Sequence, residues 1–276
     1  MKSVLITGTS SGIGRAAVQQ LAGDGWLVFA GVRNQVDAKA LASEPGEVVP
    51  VELDVTDADQ IEAAVEQVSA VTGGKLDALV NNAGIGVAGP LETLPPDGLR
   101  QILDVNVVGQ VAVTQAALPL LRRGGQGRIL FVGSVGGRVT HPWGAPYHAS
   151  KFALEAIADC LRVELAEQPV SVGLLEPGPI DTPIWAKSRE QVNGLREELA
   201  GEARELYDAP LRKFQEQLTS AERKGEEPAK VAAKIADALG DSGSRYPVGR
   251  GVRTLVSVRP LLPDFVYDRL SGIFSR

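Results

Sequence analysis

Tyr147 and Lys151 stand four residues apart, so on a helix their side chains leave the same face one turn from each other. A phenol titrates near ~10 in water and is a poor base at neutral pH. An ammonium held one turn away stabilises the phenolate and lets the ring oxygen exchange a proton with a bound alcohol or carbonyl. The spacing alone is common in helices, so its meaning depends on its surroundings. Ser134 follows the strand-like run 128–133, at whose end its hydroxyl would stand; Gly133-Ser134-Val135-Gly136 is not Gly-x-Ser-x-Gly, which argues against a hydrolase nucleophile. Asn106 lies inside the apolar stretch 102–109, where an amide needs partners. His148 adjoins Tyr147 but points about 100° around the helix from it, and His141 reads as a loop residue near the cleft. Cys160, among Ile157, Leu161 and Leu165, reads as a core or interface residue rather than a reactive thiol.

A second group of residues suits a phosphate. Thr7-Gly8-Thr9-Ser10-Ser11-Gly12-Ile13-Gly14 follows a strand-like run and opens a helix-like one. Glycines there permit a tight turn and close backbone approach to a pyrophosphate, and the helix start offers free N–H groups and its positive dipole end. The spacing is Gly-x-x-x-Gly-x-Gly. Gly84-Ile85-Gly86-Val87-Ala88-Gly89 matches the commoner Gly-x-Gly-x-x-Gly, but Pro90 and Pro95-Pro96 follow it and no helix starts at its last glycine. It reads as a loop at the sheet's carboxyl edge.

These residues need a frame that gathers them. Strands are expected at 4–7, 27–31, 48–53, 78–81, 128–132 and 171–176, and helices at 13–22, 58–71, 98–121 and 147–166. That alternation predicts an α/β fold of the Rossmann type, a doubly wound parallel sheet in a single domain over residues 1–276. Residues 183–227 read as an inserted helical lid of one or two helices, followed by a helix at 228–239 and a strand at 245–248. The lid carries Ile184, Trp185, Leu195, Leu199, Leu206, Tyr207, Leu211 and Phe214, which suits a lipophilic substrate. A final amphipathic segment at 252–274, with Leu261, Phe265, Leu270 and Phe274, is expected to pack on the body or a neighbouring subunit, with membrane-surface association as the alternative.

The composition narrows the class. With 276 residues and 44% hydrophobic content the chain can bury a large core, and a net charge of -6 argues against nucleic-acid binding. A single cysteine and two histidines exclude an internal disulfide and make a Cys/His metal site unexpected. No signal peptide and no apolar stretch of membrane-spanning length is read from the sequence, and a cytoplasmic location is expected.

Together, Thr7–Gly14, Asn81-Asn82-Ala83-Gly84, Asn106, Ser134, Tyr147-x-x-x-Lys151 and Pro177-Gly178 resemble the short-chain dehydrogenase/reductase superfamily, in its single-domain subgroup and its hydroxysteroid and retinol dehydrogenase branch. The resemblance covers about residues 3–183. It implies a nicotinamide cofactor held by Gly8, Thr9, Ser10, Ser11, Gly12, Ile13 and Gly14, with Asp54 and Val55 at the adenine and Asn82, Ala83 and Gly84 supporting the cofactor and the sheet. It also implies a loop over the nicotinamide in which Pro177, Gly178, Ile180 and Thr182 take part. By the same resemblance Tyr147 is the proton-transfer group, Lys151 tunes it and contacts the cofactor, Ser134 binds the substrate oxygen, and Asn106 belongs to a water-linked proton relay through Lys151. The second strand ends Val32-Arg33, without the acid that binds a ribose 2′-hydroxyl and with an Arg that accommodates a 2′-phosphate, which favours NADP(H) over NAD(H). The expected activity is interconversion of an alcohol and a carbonyl compound by a homodimer or homotetramer. A nucleotide-sensing regulator on the same fold would not need Ser134 or Tyr147. An epimerase or dehydratase of the extended relatives would carry a differently spaced glycine motif and a larger C-terminal domain.

Overall fold

The computed structural model of the chain describes residues 1–273. Seven parallel strands form one sheet: β1 (Ser3–Ile6), β2 (Leu27–Val32), β3 (Val48–Glu52), β4 (Ala78–Asn81), β5 (Gly127–Val132), β6 (Val170–Pro177) and β7 (Arg245–Val248). Their order is β3-β2-β1-β4-β5-β6-β7, so the winding reverses between β1 and β4. A crevice opens at the carboxyl edge of such a reversal. Both faces of the sheet are covered because both parities of each strand are apolar. Val4 and Ile6, Val28 and Ala30, and Leu130 and Val132 face one side. Leu5, Phe29, Leu79, Ile129 and Phe131 face the other. Alternation of this kind leaves neither face suited to water.

On the first face lie α1 (Gly12–Gly23), α2 (Gln35–Ala42) and, from late in the chain, α9 (Pro228–Leu239), which docks Val231, Ile235 and Leu239 beside Val18 and Leu21 of α1. α2 is not among the helices expected from the sequence. It is only eight residues long and buries Leu41 alone, so its periodicity is faint; Asn34 starts it by accepting a hydrogen bond from the Asp37 N–H at 2.9 Å. The second face carries α3 (Ala58–Thr72), α5 (Gly109–Gly124) and α6 (Ala145–Glu164).

One expected helix is built differently. The run predicted at 98–121 is α4 (Pro96–Leu103), a π-helical turn at Asp104–Val108, and then α5. Together these form a 29-residue helix long and apolar enough to cross a membrane by length and composition, contrary to the reading that no such stretch exists. Its packing is that of a core helix: Val113, Ala117, Leu120 and Leu121 are buried against the second face of the sheet.

The insertion after β6 is two helices, α7 (Ile184–Glu198) and α8 (Gly201–Lys224). They bury Val192, Leu199, Leu211, Phe214 and Leu218 against one another and Ala88 in a separate small core. Leu206, counted with the lid's apolar lining, instead faces solvent at 53% exposure. The C-terminal segment forms α10 (Val252–Val258), a 3-10 turn (Arg259–Leu261) and α11 (Asp264–Ile273). Its packing on the body is partial: Val252 and Val256 are buried, whereas Leu261 and Phe265 are 79% and 76% exposed. Phe274 lies outside the described residues. Cys160, read as a core or interface residue, is on the surface.

Candidate active site

The site begins where β1 ends. The Thr7 N–H donates to Val80 O at 3.1 Å, and its buried hydroxyl oxygen accepts from the N–H groups of Asn82 (3.0 Å) and Ala83 (2.9 Å). This ties the glycine turn to the loop after β4. Gly8 turns with φ +68°, a region unfavourable for residues with a Cβ, and a Cβ there would lie 2.8 Å from Ala83 Cα. On Gly14 a Cβ would meet Gly8 O at 2.3 Å and Asn82 Nδ2 at 2.5 Å, so α1 packs against its own entry turn. Asn82 Nδ2 donates to the carbonyls of Thr7 and Gly8, each at 2.9 Å.

The N-terminus of α1 has the features of an anion cradle. Its preceding residue, Ser11, makes no side-chain cap bond, and the first turn holds no acidic residue, so the N–H groups and the dipole's positive end are open. Ser10 and Ser11 are exposed beside it. A dinucleotide's phosphates fit this turn. Thr9, grouped with the phosphate-binding residues from the sequence, is fully buried, and both its N–H and its hydroxyl donate to Gly31 O at 3.0 Å. It buttresses the turn against β2 and has no donor to offer a ligand.

At the adenosine end, Val32 is buried and Arg33 exposed. Burial pushes the Asp54 carboxyl up, but the Thr56 N–H and hydroxyl and the charge of Arg33 outweigh it and hold Asp54 below its ordinary value. Val55 is buried under α5, where a Cβ on Gly109 would lie 2.6 Å from Val55 O.

Asn106 sits in the π-helical turn, fully buried. Its Oδ1 accepts from the Ile85 N–H at 2.8 Å, and its Nδ2 donates to Ile85 O and Ser150 Oγ, both at 3.0 Å. Ser150 in turn donates to Tyr147 O at 2.8 Å. Asn106 is therefore linked to Tyr147's helix through Ser150, and it pins the loop Gly84–Ile85. Gln110, one turn on, donates to Ala83 O at 2.7 Å. Wide turns of this kind recur at functional sites.

Ser134 stands at the end of β5 and opens a short 3-10 turn (Val135–Gly137), its Oγ accepting from the Gly136 N–H at 2.9 Å. Tyr147 and Lys151 leave α6 toward it. Lys151 is 5% exposed, its Nζ donates to Val132 O at 2.9 Å and lies 5.8 Å from the centre of the Tyr147 ring. Burial lowers the Lys151 ammonium to about 8. For Tyr147 burial dominates and pushes the phenol up, with a hydrogen bond to Ser134 acting the other way. The lowering expected of the phenol is that of a ring beside both Lys151 and an oxidised nicotinamide; burial acts against it. His148 is buried, with Nδ1 2.9 Å from Gly136 O; burial and His141 lower its imidazolium to about 4, so it stays neutral and structural.

The loop after β6 closes over the start of α1: a Cβ on Gly12 would lie 3.0 Å from Thr182 Cγ2. Pro177 ends β6, and Gly178 N–H donates to Val248 O at 2.9 Å. Ile180 reaches the loop through its backbone. Its side chain is in the core of the first face, and its carbonyl accepts from the Trp185 indole at 2.6 Å. Across the cleft, α7 rests on the loop 84–89, with Ile184 and Ser188 against Gly86.

Several residues here were not singled out by sequence. Ser150 and Gln110 carry no motif; their spacing from Lys151 and Asn106 is their only signal. Trp143, with φ +71°, is the positive-φ residue besides glycines among the described residues. Its carbonyl accepts from the Gly89 N–H at 2.7 Å and its ring meets Tyr207 edge-on at 6.0 Å, joining the approach to α6, the loop 84–89 and α8. A backbone strained in this way persists only where its neighbours fix it. A groove of about 610 Å³ lies between α6 and α11, lined by His141, Ala145, Ala149, Phe152 and Tyr267, on the side of α6 away from Tyr147 and Lys151.

With this geometry in hand, comparison places the chain. Residues 2–193 match the family model described as short chain dehydrogenase, and the chain belongs to the short-chain dehydrogenase/reductase family. Within it, the chain falls in the branch resembling the hydroxysteroid and retinol dehydrogenases, and by family it is an NAD(P)-dependent dehydrogenase/reductase. Human 17-beta-hydroxysteroid dehydrogenase type 1 is 44% identical over 194 residues, 67% of this chain and 58% of that enzyme's length. The NADPH-dependent 3-dehydrocapnine reductase of Ornithobacterium rhinotracheale is 36% identical over 278 residues, covering 98% of this chain and 96% of that one. Among solved structures, a short chain dehydrogenase from Burkholderia cenocepacia in complex with NADP has a TM-score of 0.75 at 25% identity, covering 98% of this chain and 99% of that one.

Proposed function

We propose that the protein is an NADP(H)-preferring oxidoreductase that interconverts a lipophilic secondary alcohol and its ketone, or an aldehyde, with Tyr147 as the proton-transfer group. The observation that carries this reading is the grouping of Ser134, Tyr147 and a buried Lys151 at the carboxyl end of β5, facing the crevice where the winding reverses. A nicotinamide held in this crevice would supply or accept the hydride. The residues of the chain do the rest. Ser134 binds the substrate oxygen and steadies charge developing on it. Tyr147, which burial keeps protonated at neutral pH, gives its proton to a carbonyl oxygen. Lys151 supplies a fixed positive charge beside the ring and is anchored by Val132 O. Ser10, Ser11 and the first N–H groups of α1 would hold the pyrophosphate. Arg33, with no acid at Val32, favours a 2′-phosphate. The relatives that name their cofactor or substrate, an NADPH-dependent reductase and hydroxysteroid and retinol dehydrogenases, point the same way.

The test follows absorbance of the reduced nicotinamide with NADPH and NADH in parallel, over a panel of hydrophobic and small polar carbonyl compounds. Turnover of hydrophobic ketones or aldehydes, faster with NADPH, is expected. Tyr147→Phe should lower turnover by about 10²–10⁴-fold and leave NADPH affinity unchanged. Equal loss of both, or turnover confined to small polar substrates, would refute the reading.

A further inference from the structure

Beneath the reacting groups lies a buried cluster of charges that the proposed chemistry does not use. Glu155 is on α6, one turn beyond Lys151, and Glu176 is on β6 immediately before Pro177-Gly178; their side chains are 10% and 2% exposed. Arg138 closes the 3-10 turn that Ser134 opens, and its Nη1 lies 3.5 Å from both carboxylates. Arg245, on β7, donates to Glu155 Oε2 at 2.9 Å, engages Asp159 with two bonds of 2.9 and 2.8 Å, and stands 3.8 Å from Glu176. Arg162 reaches Asp159 from the solvent side at 3.1 Å. The cluster therefore joins the segments bearing Ser134, Lys151 and the Pro177-Gly178 loop. Contact is close at this joint: a Cβ on Gly137 would lie 2.8 Å from Lys151 O and 3.2 Å from Glu155 Cγ.

Both guanidiniums approach Glu176 at long range, and Glu155 Oε1 is buried without a donor among the described residues. A single Arg138 nitrogen, 3.5 Å from each, holds the two carboxylates side by side. Two buried carboxylates this near repel unless something lies between them, and a proton is the donor that the orphaned oxygen lacks.

We infer that Glu155 and Glu176 share one proton, and that this protonated pair, clamped by Arg138 and Arg245, is a positioning element that holds the Ser134 turn and the Pro177-Gly178 loop against α6. Burial, and then the charge of Glu155, push Glu176 up to about 7 despite Arg138 and Arg245. The proton is thus released near neutral pH, where the like charges part the joint and turnover declines. This role rests on the oxidoreductase reading; the proton itself does not.

The test uses the full chain and Glu176→Gln, whose amide donates as the protonated acid does but cannot titrate. A carboxyl raised in the folded state binds a proton that the unfolded chain releases, so stability falls as pH rises from about 4.5 to about 7 and this contribution is level above that. The parent's Tm should therefore fall relative to that of E176Q across this window, and kcat of E176Q should hold to higher pH than the parent's. Parallel Tm curves would overturn the shared proton. Tm curves that separate as expected, with superimposed kcat profiles, would leave the proton but overturn its positioning role. Should the protein turn over no carbonyl compound, the Tm comparison still decides the proton while the enzymatic reading fails by itself. If E176Q does not fold, infrared spectroscopy of the parent decides: a buried protonated-carboxyl band that fades through neutral pH is expected, and its absence at acid pH would refute the inference.

Discussion

Thr7→Val removes one oxygen from the structure and almost nothing else. The hydroxyl oxygen of Thr7 accepts the N–H groups of Asn82 and Ala83, at 3.0 and 2.9 Å, and the side chain is fully buried, so no water can take its place without disrupting the core. Valine matches threonine in shape and leaves both donors without an acceptor. Each orphaned buried donor costs about 1–3 kcal/mol. Asn82 and Ala83 are only half-buried, which puts the pair at about 2–4 kcal/mol in total. For a chain of this size that lowers Tm by roughly 4–8 °C. The damage is local to the seam between β1 and β4, so NADPH affinity should fall with stability. Thr7→Ser keeps the oxygen and should recover most of both. The assays are thermal unfolding by circular dichroism and NADPH titration by fluorescence. A Thr7→Val protein as stable as the parent, or a Thr7→Ser protein as damaged as Thr7→Val, would show that the oxygen does not hold this seam.

Gly14→Ala should weaken NADPH binding by about 10-fold or more, since its Cβ would meet the Gly8 carbonyl at 2.3 Å and displace the turn by a cost typical of overpacking; unaltered affinity in a folded variant would contradict the close packing. Lys151→Met should abolish most turnover and yet raise Tm near neutral pH. Burial lowers the folded Lys151 to about 8, so below that pH the protein carries the cost of a buried charge, about 3 kcal/mol, which fades as pH rises toward the ordinary lysine value of 10.5. A Tm below the parent's at pH 7 would count against this account. Arg33→Ala should raise the Kd for NADPH by about 10-fold while leaving that for NADH within a factor of two, consistent with loss of one charge-assisted phosphate contact; equal effects on both cofactors would remove Arg33 from the 2′-phosphate.

The sheet was largely legible in the sequence because its signal is local. Val4–Ile6, Ala78–Asn81 and Gly127–Val132 are short apolar runs bounded by turn residues, and strands buried on both faces read that way. The four residues Asn106, Ser134, Tyr147 and Lys151 were legible by their types and order. What they touch was not. Thr9 looks like a phosphate ligand in a one-dimensional motif, and only the register of β1 against β2 shows its hydroxyl held by Gly31 O. That the Ile180 side chain sits in the core and its carbonyl meets Trp185, a residue of the lid, is likewise invisible in the motif. α2 escaped notice because eight residues with one buried leucine make almost no periodic pattern. The joint formed by Arg138, Glu155, Glu176 and Arg245 draws on four separate segments of chain, so no window of sequence contains it.

The π-helical turn around Asn106 has a consequence for how this region tolerates change. A wide turn takes one residue more to complete its circle than the α-helix it interrupts, so α4 and α5 keep the phase of a continuous helix on either side of the added residue. Deleting a single residue from Asp104–Val108 would leave an unbroken and locally more regular helix whose two halves still face the core. What would be lost is local: the amide would leave its place between Ile85 and Ser150. A variant chosen for helical propensity alone would keep the fold and lose the site.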